Sequence, residues 1–257
     1  MIFPNMQIRV LTFGVLKDWL GSADVLVEMP VGSSVADLLE RLCAASPIPV
    51  LRGIAVSVNA EFSGLTQRLK DGDEVGLLPP VSGGTARSAD RVPEEDALPV
   101  PGQAAREVAL TRSPIEKERI AAAARRDEDG ALVVFDGVVR NHSRGRQTLF
   151  LEYEAYEEMA LRQMETLALQ ALSQFDICHV SLVHRLGRIE IGESSVLIVV
   201  ASAHRGPAFD ACRWLIDTLK KTVPVWKREI FVDGAVWAPG EPFPEAVAVI
   251  PEAENGV

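Results

Sequence analysis

Two lysines flank a proline in the run Leu219-Lys220-Lys221-Thr222-Val223-Pro224-Val225-Trp226-Lys227-Arg228-Glu229. A turn at Pro224 would bring Lys220 and Lys227 together. Each ammonium would disfavour protonation of the other, and partial burial beside Trp226 would add to that, moving a lysine toward the range in which it can donate and accept protons. Solubilising surface lysines, or a lysine complementing a helix C-terminus, are the other readings of the same residues. A second basic group, His204-Arg205-Gly206, separates an apolar run ending near Ala201 from a helix that opens at Pro207. Backbone N–H groups at such a helix start, together with a cation, can hold a phosphate; a histidine there can also simply cap or pack. Between Gly137 and Leu151 stand Arg140, Arg144 and Arg146 with no acid. Arg140 is the stronger candidate for an anion contact and His142 the weaker one for acid–base work, while His179 and His184 fall in strand-like runs and read as structural.

The chain that carries these cations is acidic overall, with 26 Lys and Arg against 36 Asp and Glu for a net charge of −10. That balance argues against a nucleic-acid binder, whose footprint is a basic face. Local concentration of cations in an acidic protein suits a small anion, with a solvated basic face as the alternative. The apolar runs, such as Val196-Leu197-Ile198-Val199-Val200-Ala201, fall far short of the roughly 20 residues that a membrane helix needs. No secretory leader pattern opens the sequence, so a cytoplasmic location is expected, with Met1 or Met6 as the start. Cys43, Cys178 and Cys212 are widely separated and odd in number, which indicates buried, inert thiols rather than a disulfide framework or a zinc site.

The elements that must position the cations fall in two modules. In the first, Gln7 to Phe13 and Val25 to Met29 alternate as strands and make a plausible hairpin. Ser34 followed by Asp37 starts a helix whose apolar face is Val35, Leu38, Leu39 and Leu42. Strands are expected at Ala55 to Val58 and Glu74 to Leu78, the latter fed by the Asp71-Gly72-Asp73 turn. This is a small β-grasp pattern. Residues 85–105, rich in Pro, Ser, Asp and Glu, read as a linker that spans at most about 70 Å extended and about 25 Å as a coil. The second module, 106–257, opens with a helix expected from Pro114 to Arg125, capped by Ser113. A turn at Asp127 to Gly130 and a strand from Ala131 to Phe135 follow. Apolar stripes predict helices from about Glu157 to Phe175 and from Pro207 to about Lys221, with strands at Val180 to His184 and Ser195 to Ala201. The methionines of the long helix are core filler.

Residues from about Gln7 to Gly84 resemble the small, sulfur-carrying subunit of molybdopterin synthase, above all in Asp71-Gly72-Asp73-Glu74-Val75 and Pro79-Pro80-Val81-Ser82-Gly83-Gly84. From about Arg106 onward the chain is similar to the large, catalytic subunit, in Arg126 to Ala131, Val139-Arg140-Asn141-His142, Ser202-Ala203-His204-Arg205, and Leu219-Lys220 through Glu229. A Gly-Gly ending is shared by many ubiquitin-like proteins; both halves of one enzyme in one chain is a far more specific signal. The resemblance implies an α+β chain, with a β-grasp domain (1–84) joined through the linker to an α/β hammerhead domain. It also implies a homodimer through the large domain.

The activity implied is sulfur transfer from a glycine thiocarboxylate to cyclic pyranopterin monophosphate, giving the dithiolene of molybdopterin in two rounds. Carried over by motif, Gly84 is the sulfur-bearing position, Lys220 the central catalytic lysine and Lys227 its partner. Val138, Val139, Arg140, His204, Arg205, Lys220, Lys227, Arg228 and Glu229 would form the substrate site. No metal and no tightly bound cofactor is implied; the sulfur arrives as the thiocarboxylate, formed with an adenylating and sulfurating enzyme as partner. One feature departs from the family pattern: the Gly84 carbonyl is locked in a peptide bond to Thr85, and an internal amide cannot be adenylated. Cleavage after Gly84 is therefore expected. A self-blocked regulatory or binding protein and a ubiquitin-like conjugation module are the rival readings.

Overall fold

A computed structural model describes residues 5–45, 53–81, 105–240 and 243. They form two compact units: Met1–Gly83 together with Pro239–Val257, and Gly84–Ala238. The segment after residue 238 thus groups with the β-grasp part of the chain, whereas the sequence assigns it to the second module. Gly84 and all of the expected linker except Ala105 lie outside the described residues.

In the first unit, β1 (Asn5–Thr12) and β2 (Asp24–Pro30) pair antiparallel with Ile8 opposite Val27. A short helix, α1 (Val15–Leu20), sits between them. The sequence reading missed it, because six residues are too few to display a helical period. Helix α2 (Val35–Ala45) begins at the expected cap: the Asp37 carboxylate accepts from the Ser34 N–H at 2.7 Å, and the Ser34 hydroxyl accepts from the Asp37 N–H at 3.3 Å. That reciprocal arrangement is a capping box with aspartate at its third position. Strands β3 (Ala55–Val58), β4 (Glu61–Ser63) and β5 (Glu74–Leu78) complete a sheet of order β2-β1-β5-β3-β4 with β1 and β5 parallel. One face buries Ile8, Val10, Val56, Val58, Val75 and Leu77 against Leu38, Leu39 and Leu42 of α2.

The second unit is built on β6 (Ala105–Thr111), α3 (Lys117–Ala123), β7 (Ala131–Val138), the two-residue β8 (His142–Ser143) and β9 (Arg146–Ala155). It continues with α4 (Glu157–Gln174), β10 (His179–Arg185), β11 (Gly187–Glu190), β12 (Ser194–Ser202), α5 (Arg205–Thr222), β13 (Val225–Phe231) and β14 (Gly234–Trp237). One sheet runs β6-β10-β12-β7; the other runs β11-β9-β13-β14, with β8 paired to β9. Leu182, Ile198 and Val200 of the first sheet pack with Met164, Leu167, Ala168 and Ala171 of α4 and Cys212, Leu215 and Leu219 of α5. Val183, Leu197 and Val199, on the opposite face by strand alternation, pack with Ile120 of α3. Both units are therefore of the α+β class. Helix α3 starts at Lys117 rather than Pro114, and the Ser113 N–H donates to the Thr111 hydroxyl at 3.1 Å in a turn that follows β6. None of the described helices is long and apolar enough to cross a membrane.

Candidate functional site

Strand β13 carries the most chemistry. Alternation along it puts Val225, Lys227, Glu229 and Phe231 on one face and Trp226, Arg228 and Ile230 on the other. Lys227 faces Tyr153 of β9, and Glu229 faces Leu151. The Lys227 ammonium lies 3.1 Å from the Glu229 carboxylate, which is only 3% exposed as a residue. Ser143 donates to the same carboxylate oxygen at 3.2 Å. Glu229 thus fixes Lys227 from one side and the β8 segment from the other. The sequence puts Arg228 with the lysines; instead it projects from the opposite face, 3.9 Å from Glu152 and over the Trp237 ring at 5.9 Å.

Lys220 ends α5 as expected, in the last turn, where its charge complements the helix dipole. The Val223 N–H donates to the Leu219 carbonyl, and the Pro224 carbonyl accepts from the Tyr156 N–H at 3.2 Å. Two residues therefore carry the chain from α5 into β13. That tight return brings the segment of Lys220 next to the segment of Lys227, and both side chains are half-buried.

Val138, Val139 and Arg140 leave the end of β7. Val139 is buried with Leu151 and Ile189, and its N–H and carbonyl are taken by Glu193 and Gly192. Val138 and Arg140 stay exposed. Residues 141–148 turn back through a hairpin in which Arg144 (φ 49°) and Gly145 (φ 75°) both adopt positive φ, the conformation that a two-residue loop between right-twisted strands demands. Ser143 reaches Glu229, and the Arg140 backbone is within about 10 Å of chain from Ser143. Arg146 is committed elsewhere, 2.5 Å from Asp233 and stacked 3.8 Å over Phe231. His142 is exposed, 2.7 Å from the Asn141 side chain.

His204 and Arg205 are exposed at the other end of α5, His204 being the extended N-cap residue. An 18-residue helix is about 27 Å long, so Arg205 and Lys220 are roughly 22 Å apart along the axis. One chain does not bring His204 and Arg205 to the lysines.

Beneath β13, the Tyr153 ring meets His184 edge-on at 5.2 Å, and burial raises its phenol, opposed by a hydrogen bond from the Ser195 side and assisted by the Glu229 charge. Burial pushes His184 down to about 4 although its Nδ1–H donates to the Arg185 carbonyl at 3.0 Å. His179 is also buried, within 2.7 Å of the Ser181 hydroxyl. Both histidines are thus packed in the sheet as expected. Of the thiols only Cys212 is buried; Cys43 and Cys178 are half-buried. Desolvation raises all three, Cys178 and Cys212 to about 11, so they remain thiols at neutral pH. Among the described residues no group of three or more His, Cys, Asp or Glu side chains converges as a metal site.

The fold is thus a β-grasp unit followed by an α+β unit in which Lys220 and Lys227 stand on adjacent segments at the α5–β13 return. Residues 10–84 match the ThiS family, and residues 110–222 match the family described as MoaE protein. The molybdopterin synthase catalytic subunit of Pyrococcus abyssi is 46% identical over 112 residues, which are 44% of this chain and 76% of that protein. The molybdopterin synthase catalytic subunit of Thermoplasma volcanium is 43% identical over 127 residues, covering 49% and 93%. A solved structure of molybdopterin synthase from Staphylococcus aureus is 36% identical and covers 50% of this chain and 93% of its own, with a TM-score of 0.47. The chain belongs to the molybdopterin synthase catalytic subunit family, with a sulfur-carrier-family module fused ahead of it.

Proposed function

We propose that the chain is a molybdopterin synthase with its carrier and catalytic parts fused, acting in molybdenum cofactor biosynthesis by moving sulfur from a thiocarboxylate on Gly84 to cyclic pyranopterin monophosphate. The observation that carries this reading is the pair of family matches in one chain, the first ending at Gly84 and the second including Lys220. Hydrolysis of the Gly84–Thr85 bond frees the glycine carboxylate, which a separate adenylating and sulfurating enzyme converts to the thiocarboxylate. Lys220 and Lys227 then serve the transfer: a proton must reach the oxygen that leaves as the cyclic phosphate opens, and a cation must face the negative charge that develops. Glu229 holds Lys227 in place, and Arg140 holds the substrate phosphate from the neighbouring segment. No resident cofactor is needed, and the reaction is cytoplasmic.

The separation of Arg205 from Lys220 along α5 supports a homodimer in which a second copy supplies His204 and Arg205 to the lysines of the first. Strand β7, at one edge of its sheet, exposes Val134 and Val138, the kind of apolar edge that a second copy covers. Intact-protein mass spectrometry of the chain from its native host tests the reading. The expected result is a fragment ending at Gly84 whose mass carries one sulfur in place of one oxygen. Uncut chain alone, in cells that make molybdopterin and encode no separate small subunit, would sink it.

A further inference from the structure

Strand β7 leads into Val138, Val139 and Arg140, and it ends in a β-bulge. On β12, Ser194 faces Val138 and Val196 faces Gly137, so Ser195 between them has no cross-strand partner. An extra residue of this kind bends its strand and re-aims the side chains beyond it. Both strands are fitted to the bulge. A Cβ at position 137 would lie 2.5 Å from the Val196 Cγ1, a collision that Gly137 avoids. Ser195, 6% exposed, donates its hydroxyl to the Gly137 carbonyl at 2.9 Å. With that proton engaged, the Ser195 oxygen is left to accept, and its partner is the Tyr153 phenol, which burial keeps protonated.

Tyr153 has no part in the sulfur transfer set out above, yet it stands between the two sides of the site. Across β9 and β13 it lies directly opposite Lys227, and opposed residues of an antiparallel pair carry neighbouring side chains on one face. Its ring packs with Val139, Leu151 and Ile189 and meets His184 edge-on at 5.2 Å. Its hydroxyl opens a chain of two hydrogen bonds, Tyr153 to Ser195 and Ser195 to the Gly137 carbonyl, which ends one residue before Val138. We propose that Tyr153 is a positioning residue: through Ser195 and Val139 it latches the end of β7, so that Arg140 meets the substrate at a fixed place relative to Lys227. Apolar contact is non-directional, whereas a buried hydrogen bond fixes a geometry. The catalytic consequence rests on the substrate site proposed above, but the latch itself does not, so the two readings fail separately.

The test uses Tyr153→Phe and Ser195→Ala in the full chain; each removes one link, and Tyr153→Phe keeps the ring against Val139 and His184. Hydrogen exchange followed by mass spectrometry reports the latch without any sulfur chemistry. The Val139 N–H, which donates to the Glu193 carbonyl at 3.0 Å, should exchange roughly tenfold faster in either variant while the amides of β10 keep their wild-type rates. Transfer assays with preformed thiocarboxylate read the consequence: KM for cyclic pyranopterin monophosphate should rise roughly tenfold with kcat little changed. The double variant should be no worse than either single one, because both break the same chain of hydrogen bonds. Circular dichroism identifies a variant that fails to fold, and the other then decides. Unchanged exchange at Val139, or a rise spread evenly over the unit, overturns the proposal. So does a loss of kcat with KM unchanged, or full additivity in the double variant. A wild type without transfer activity overturns the proposed function instead, and the exchange pattern then decides the latch alone.

Discussion

Lys227 and Glu229 show how a single residue type changes meaning with its neighbours. Two lysines flanking Pro224 read as a mutually repelling pair, whereas Lys227 faces a carboxylate 3.1 Å away that is itself out of solvent. Replacing Lys220 or Lys227 by alanine is expected to lower sulfur transfer by roughly 10²- to 10⁴-fold; Lys220→Ala should move stability by less than about 0.5 kcal/mol, whereas Lys227→Ala should also destabilise the fold, since it leaves the Glu229 carboxylate out of solvent without its counter-ion. Transfer assays with preformed thiocarboxylate, alongside thermal unfolding, separate the two effects. Glu229→Gln keeps an acceptor for Ser143 but removes the charge facing Lys227, and a smaller loss than for Lys227→Ala is expected in the same assay. His184 makes a prediction of a different kind. Its folded value, about 4, lies below the ordinary 6.5, so as pH falls through 6.5 the unfolded chain gains a proton that the folded protein refuses. Stability attributable to His184 therefore declines between pH 6.5 and about 4, by about 1.4 kcal/mol per unit at most, and levels off below. Chemical denaturation of His184→Phe, whose ring keeps the packing against Tyr153, should show a flatter profile in that window; an unchanged slope would rule this out.

The helices were legible in the sequence where they run for several turns and obscure where they do not. Stripes in α4 and α5 fix those helices to within a few residues, and Ser34 with Asp37 marks the start of α2 because the capping chemistry is written in adjacent residues. Ser34→Ala should cost about 1 kcal/mol of stability. Hydrogen bonds from the Ser34 N–H and hydroxyl hold the Asp37 carboxyl below its ordinary 3.8. The part carried by the Asp37 charge is complete above that value and is lost as pH falls through the lower folded one, while the Asp37 N–H keeps the Ser34 hydroxyl as its acceptor, so the difference between wild type and Ser34→Ala should narrow in acid without closing. Strands β9 and β13 escaped notice for a physical reason. The buried face of β13 holds Lys227 and Glu229 between Val225 and Phe231, so residues that serve the site break the apolar alternation by which a strand is recognised. Of the candidate site, residue types near Pro224 and at His204 were legible. Their separation by the length of α5 was not, because a linear motif carries no distance.

That length turns the two ends of α5 into a question about the whole assembly. If each site draws Lys220 and Lys227 from one copy and His204 and Arg205 from another, a chain lacking Lys220 and a chain lacking Arg205 are each inactive alone but complementary when paired. In a dimer with twofold symmetry the mixed pair holds one site with both defects and one with neither. Co-expression of Lys220→Ala and Arg205→Ala chains in equal amounts forms mixed dimers as about half of the population, so recovered activity should approach about a quarter of wild type. Each homodimer stays near background. Restoring Gly84 function in trans cannot imitate this result, because both variants keep an intact carrier module. Analytical ultracentrifugation establishes that the dimer forms, and transfer assays on the tagged, doubly purified mixed dimer measure the intact half. A mixed dimer as inactive as its parents would mean that the cations at the two ends of α5 never share a substrate, and the basic helix start at His204 would then serve a separate anion.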